Sequence, residues 1–274
     1  MFQADTRYQN KAQSVVGIME VIYHATVRSV RKTHANPLVG LLVNMFQTLV
    51  LVFVFYIMYS ILGLRGSAIR GDFLIYIMSG IFLYMTHTKT MSAVVSSEGP
   101  ASPMMQHAPM TTFIAITSAA LGSLYIQVLS AIVVLFVYDV GFQPVVITDP
   151  IATFGMLLMA WFSGVAVGMV FLSLKPWFPQ FVSVASMIYA RANMIASGKM
   201  FVANTLPYTM LKMFDWNPLF HIIDQARGFA FVNYNPHYSN TTYPLVVAIT
   251  LLMIGFMGEN YTRKHASISW GARR

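Results

Sequence analysis

The residues that could do chemistry in this chain are few and scattered. The acids Asp5, Glu20, Asp72, Glu98, Asp139, Asp149, Asp215, Asp224 and Glu259 all fall outside the long apolar stretches or at their edges. Carriers driven by protons or sodium place ionisable side chains at bilayer depth to relay the coupling ion, so a secondary transporter has little to run on here. Seven histidines are present, but none sits in an H-E-x-x-H or similar ligand spacing. There is no cysteine, which removes disulfides, thiolate metal sites and cysteine nucleophiles together. A G-x-S-x-G nucleophile turn is missing as well. Gly198-Lys199 lacks the upstream glycine and the following hydroxyl of a phosphate-gripping loop. No catalytic residue, metal ligand or cofactor is expected, an intramembrane acyl- or glycosyltransferase has no constellation to use, and any ATP must be hydrolysed by another chain. Asn240-Thr241-Thr242 fits a glycosylation sequon, a three-residue match that often arises by chance.

The densest polar cluster lies between residues 199 and 237, where two short apolar segments are broken at Pro207 and at Asn217-Pro218. Asn217 can cap a helix that begins with Pro218, whose missing N–H would have been unpaired there anyway. Leu219, Ile222, Ile223, Ala226, Phe229 and Ala230 then fall on one face. Asp224 and Arg227 can pair at i, i+3, and His221 and Asp224 can share a side. Two readings stay open: an amphipathic helix on the outer surface, or short helices that dip into the outer leaflet and close a pathway, since broken backbone at membrane depth is tolerated where it lines a cavity.

The elements that must position this cluster are built for lipid. Of 274 residues, 57% are hydrophobic and 9% charged, whereas a soluble domain carries about 25% charged residues. Apolar stretches over about 38–62, 73–95, 112–138, 151–174, 178–198 and 238–258 predict six membrane-spanning helices. The fourth carries Gly164 and Gly168, four apart, a spacing that allows close helix contact. Lys89, near the end of the second, is placed to snorkel toward headgroups. Arg191 interrupts the fifth. Between the second and third stretches, Glu98, Pro100, Pro103, His107 and Pro109 break a membrane helix and suit a short surface segment. The opening residues, Met1 to Asn10, have no apolar core behind a basic start, so a cleaved signal peptide is not expected.

Ahead of the first span, residues 12–34 read as an amphipathic interfacial helix. Val15, Ile18, Met19, Ile22, Tyr23 and Val30 fall on one face, with Glu20, His24, Arg28, Arg31 and Lys32 opposite. It serves as a plain membrane anchor or as a bearing surface for a soluble partner. The net charge of +8 fits basic residues gathered on the cytoplasmic side better than it fits nucleic acid, which is not an expected partner. With the amino terminus inside, 11 of the 17 Lys and Arg residues fall on the inner side. This distribution predicts both termini in the cytoplasm.

Taken together the pattern resembles the permease subunits of ABC-2 type transporters, in particular those that export capsular polysaccharide and O-antigen. The likeness covers nearly the whole chain. It rests on the amphipathic helix ending in Arg28, Arg31 and Lys32 before Asn36-Pro37-Leu38-Val39-Gly40, on the six apolar stretches, and above all on Trp216-Asn217-Pro218-Leu219-Phe220-His221-Ile222-Ile223-Asp224-Gln225-Ala226-Arg227. That run looks like the family's Asn-Pro, His, acid, Arg stretch, with Asp224 where the family often has Glu. The resemblance implies a homodimer paired with two copies of a cytoplasmic ATPase that binds ATP and magnesium, in a bacterial inner membrane. The implied cargo is a lipid-linked glycan, with periplasmic and outer-membrane export proteins as further partners. A teichoic acid, a lipid or a drug is the alternative cargo. It further implies that Glu98, Pro100 and Pro103 contact the ATPase, that Arg28, Arg31 and Lys32 meet the lipid phosphate through guanidinium and ammonium groups suited to it, and that Asn217, Pro218, His221, Asp224 and Arg227 belong to an outer gate.

Overall fold

The structure, a computed structural model, describes residues 11–33, 37–61, 72–99 and 111–265. Side chains are described from Gly17 to Val30 in the first helix and from Val39 in the second. Among the described residues the secondary structure is entirely helical. The elements in order are α1 (Lys11–Thr33), α2 (Pro37–Ile61), α3 (Phe73–Val95), α4 (Thr112–Gly141), α5 (Pro150–Leu174), α6 (Pro179–Ala196), α7 (Tyr208–Phe214), α8 (Pro218–Ala230) and α9 (Thr242–His265), with one 3-10 turn at Ala203–Thr205.

Four helices, α2, α4, α5 and α9, are long and apolar enough to cross a membrane. At 1.5 Å per residue even the 23-residue Val39–Ile61 stretch reaches about 35 Å, more than a hydrocarbon core of about 30 Å. Their start signals are local. Asp72, Thr111 and Asp149 cap α3, α4 and α5 by accepting the backbone N–H of Leu74, Ile114 and Ala152, and Pro150 occupies the first turn of α5, where its missing N–H is harmless.

Helix α3 is the hub, packed against α2, α4, α5 and α8. Its contact with α5 depends on small residues. A Cβ at Gly164 would lie 2.5 Å from the carbonyl oxygen of His87, and one at Gly168 would lie 2.8 Å from Cβ of Val94. Lipid tails are as apolar as leucine, so helices in a bilayer associate through such close packing rather than by escaping water. The enclosed position of α3 explains its polar second half. Thr86, His87 and Thr90 are buried, and protein groups meet the last two in place of solvent: Thr90 Oγ1 lies 3.1 Å from Ser123 Oγ of α4, and His87 bonds to α5 and α6.

Helix α6 is the opposite case. Only Val182 and Asn193 are buried on it, while Phe181, Val184, Met187, Ile188 and Ile195 are exposed. Helix α1 packs along α4 and touches α2, with Val30 and Ser29 seated at Gly122. Ile18, Met19 and Tyr23 stay exposed.

Candidate functional site

The connection from α6 to α9 folds back onto the bundle. It starts at Gly198, whose φ of 74° is open to glycine at little cost, and any Cβ there would meet the Phe220 ring at 2.6 Å. Asn217 caps α8 through Leu219 N–H, and Pro218 fills the first helical position. The Asn217 amide also donates to Asn193 Oδ1 and to the Ala196 carbonyl, both at 2.9 Å. One side chain thereby starts α8 and fastens it to the end of α6.

Nine of the 13 residues of α8 are buried, so this helix is enclosed and does not lie on an outer surface. Leu219, Ile222, Ile223, Ala226 and Ala230 enter the same apolar cluster as Ile77, Ile81, Val134 and Ala160 of α3, α4 and α5. At its far end, the carbonyls of Phe229 and Ala230 accept the backbone N–H groups of Asp149 and Thr148, at 2.9 and 3.1 Å. The loop ahead of α5 thus holds the close of α8.

The i, i+3 ion pair expected between Asp224 and Arg227 is not formed, because each is taken up by other partners. Arg227, 1% exposed, donates to the carbonyls of Gly198 (2.8 Å), Lys199 (2.7 Å) and Phe201 (2.7 Å). Its guanidinium carbon lies 4.2 Å from the centre of the Tyr76 ring, a geometry that planar guanidinium groups favour. Asp224, 2% exposed, accepts the Tyr234 hydroxyl in a short hydrogen bond and the Ser239 hydroxyl at 2.6 Å. Burial and the Asp224 charge push the Tyr234 phenol up from its usual range, which keeps it a donor. His221 accepts Asn240 N–H on Nδ1 at 3.3 Å, so Nε2 carries the hydrogen and donates to the Asp215 carbonyl at 2.7 Å. The acid beside His221 is Asp215, with Oδ1 at 3.3 Å. Among the described residues no cluster of three His, Cys, Asp or Glu could hold a metal ion.

Lys199 is the member that sequence reasoning missed. It is 3% exposed, with Nζ 3.7 Å from the centre of the Tyr84 ring and 4.7 Å from that of Phe55. Its ammonium has no hydrogen-bond partner among the described residues. Burial pushes its pKa down to about 7. The only signal in the chain was a lysine between two apolar segments, a pattern that ordinarily marks an exposed loop.

Beneath this arrangement, a mostly apolar cavity of about 350 Å³ runs between α5, α6, α8 and α9, lined in part by His87, Ser163, Tyr189, Asn193, Asn217 and Leu251. His87 bridges it, with Nδ1 2.8 Å from Ser163 Oγ and Nε2 3.1 Å from the Tyr189 hydroxyl.

The remaining candidates sit away from this cluster. Arg28 is exposed on α1. Arg31 and Lys32 belong to the last turns of α1, but their side chains lie outside the described residues. Glu98 is half-buried just past α3, while Pro100 and Pro103 lie outside the described residues. The five residues from Asn217 to Arg227 are thus brought together at the start and along α8, each with its own partners, and the basic and Glu98 groups lie on other elements. No protein-family model matches this chain, and no curated protein is significantly similar to it in sequence.

Proposed function

We propose that this chain is the permease subunit of an ATP-driven exporter of the ABC-2 type, with a lipid-linked polysaccharide as cargo. The observation that carries the proposal is the enclosed α8: the run Asn217–Arg227 that resembles the family's motif forms a buried helix whose polar groups pin the α6–α9 connection to the bundle. A stopper of this kind suits the outer end of a conduit, since it closes the bundle through a few directional bonds that can be exchanged. In this reading α3 and α6 join the four long apolar helices as spans, which gives six, with both termini in the cytoplasm.

A homodimer is supported by α6. Arg191 is exposed on it between the exposed Ile188 and Ile195. An arginine facing lipid at the bilayer centre costs about 2.5–3.5 kcal/mol on insertion scales, so this face is better matched by a second copy or a watery path. Coupling would come from two copies of a cytoplasmic ATPase bearing on α1 and on the segment around Glu98, Pro100 and Pro103. That partner would hold the ATP and magnesium.

A proton-coupled carrier draws support from Lys199, a buried amine without a hydrogen-bond partner whose pKa lies near neutrality. Partner and coupling tests separate the two. The solubilised chain should co-purify with the ATPase it is expressed with, and single cysteines at Ile188 or Ile195 should cross-link two copies in native membranes. A chain that transports alone, without ATP and without cross-linking, would support the carrier and remove the exporter.

A further inference from the structure

A second cavity, of about 440 Å³, lies at the opposite end of the bundle from α8, where α1, α2, α3 and α4 meet. Its position follows from the chain: it is bordered by the end of α1, the first turns of α2, the last turns of α3 and the first half of α4. The space is large, since a water molecule takes up about 30 Å³ in the liquid. The residues that carry its chemistry are Asn44, Gln47, Lys89, Ser92, Ser123 and Gln127.

These groups form a donor-rich set with one positive charge. Lys89 Nζ donates to Gln47 Oε1 at 2.6 Å, and an ammonium has two more hydrogens to give. Asn44 is 7% exposed. Its Oδ1 accepts from Gln127 Nε2 at 3.1 Å, but its Nδ2 is buried without a partner among the described residues. No Asp or Glu lines the cavity among the described residues, so the Lys89 charge has no anion of the protein's own there.

We propose that this cavity holds a phosphate group, with Lys89 as the cation that meets it. Lys89 lies about two turns from the end of α3, a depth of about 10 Å at 1.5 Å per residue, which a headgroup phosphate drawn between α1 and α2 can reach. Two sources share this chemistry: the headgroup of an anionic phospholipid and a soluble phosphate ester. The inference does not rest on the exporter reading, since it needs only a chain embedded in a bilayer.

The test uses the full chain in nanodiscs of phosphatidylcholine, with and without phosphatidylglycerol, and separately with glycerol 3-phosphate added to the phosphatidylcholine discs. Thermal unfolding and lipid retention in native mass spectrometry are read for the wild type, Lys89→Gln and Lys89→Arg. A midpoint raised by phosphatidylglycerol, and retention that falls about tenfold or more in Lys89→Gln but survives in Lys89→Arg, supports a lipid source; tenfold is what one charge-assisted bond is worth. The same pattern with glycerol 3-phosphate supports a soluble source. If Lys89→Gln does not fold, Ser92→Asp, at an exposed position on the rim, should abolish the effect by repulsion. Equal behaviour of wild type and variants under every addition means a cavity filled by water alone, and overturns the proposal.

Discussion

At the scale of single residues, the α6–α9 connection is held by side chains that bond to distant backbone. Arg227 supplies three hydrogen bonds to carbonyls of the 198–201 segment. Truncating it to methionine keeps the stem but strands those buried carbonyls, so Arg227→Met should destabilise the solubilised protein by about 3 kcal/mol, read as a drop in the unfolding midpoint. Lysine should not restore it, because a point charge cannot serve three carbonyls as a planar fork does. Lys199 predicts a pH dependence. Its pKa falls from 10.5 to about 7 on folding, so between these values the unfolded chain binds the extra proton and stability rises with pH. The destabilisation is fully present below pH 7 and gone above 10.5. Lys199→Met should raise the midpoint at pH 7 and flatten that rise; a wild type with no rise over this window would contradict the burial of the charge. The cap at Asn217-Pro218 was legible in the sequence because caps are local. Arg227 and Asp224 were misassigned to each other because their true partners, a run of carbonyls and two hydroxyls, leave no pattern in spacing.

At the scale of elements, hydropathy reports what a helix shows to lipid and says little about what it shows to protein. Helices α2, α4, α5 and α9 stand out on apolarity alone. Helix α3 does not, although it is the hub, since it carries the buried polar Thr86, His87 and Thr90, of which His87 and Thr90 bond to neighbouring helices. The glycine pair on α5 was readable as a contact, and its neighbour is α3. Gly164→Ala would drive a methyl against the His87 carbonyl, which belongs to helix backbone and cannot rotate away, so it should cost about 1–3 kcal/mol. Gly155→Ala, on the same helix with nothing within 4 Å of its Cβ, should instead gain up to about 1 kcal/mol from helix propensity. Equal effects at both sites would show that α5 does not pack on α3 as described. The segment expected to be either a surface helix or a closing element proved to be enclosed, and the reason lies in long-range packing: the apolar face of α8 meets α3 and α5, two helices that are remote in sequence.

At the scale of the whole molecule, the two ends of the bundle differ in kind. One end is closed by α8 with a network of hydrogen-bonded polar groups, within which the Lys199 ammonium and Arg227 Nε have no partner among the described residues. The other is open to α1 and contains a polar cavity with a positive charge. In the proposed reading, an anionic, lipid-borne cargo enters at the second end and leaves past α8, and the ATP is held by a partner, since the chain has no G-x-x-x-x-G-K-[ST] motif. The most direct test is transport in proteoliposomes that contain this chain with the proposed partner ATPase and a lipid-linked glycan. For an exporter subunit, glycan movement needs both proteins and hydrolysable ATP, and is unaffected by collapsing the proton gradient. Movement by this chain alone, driven by that gradient and indifferent to ATP, would contradict it.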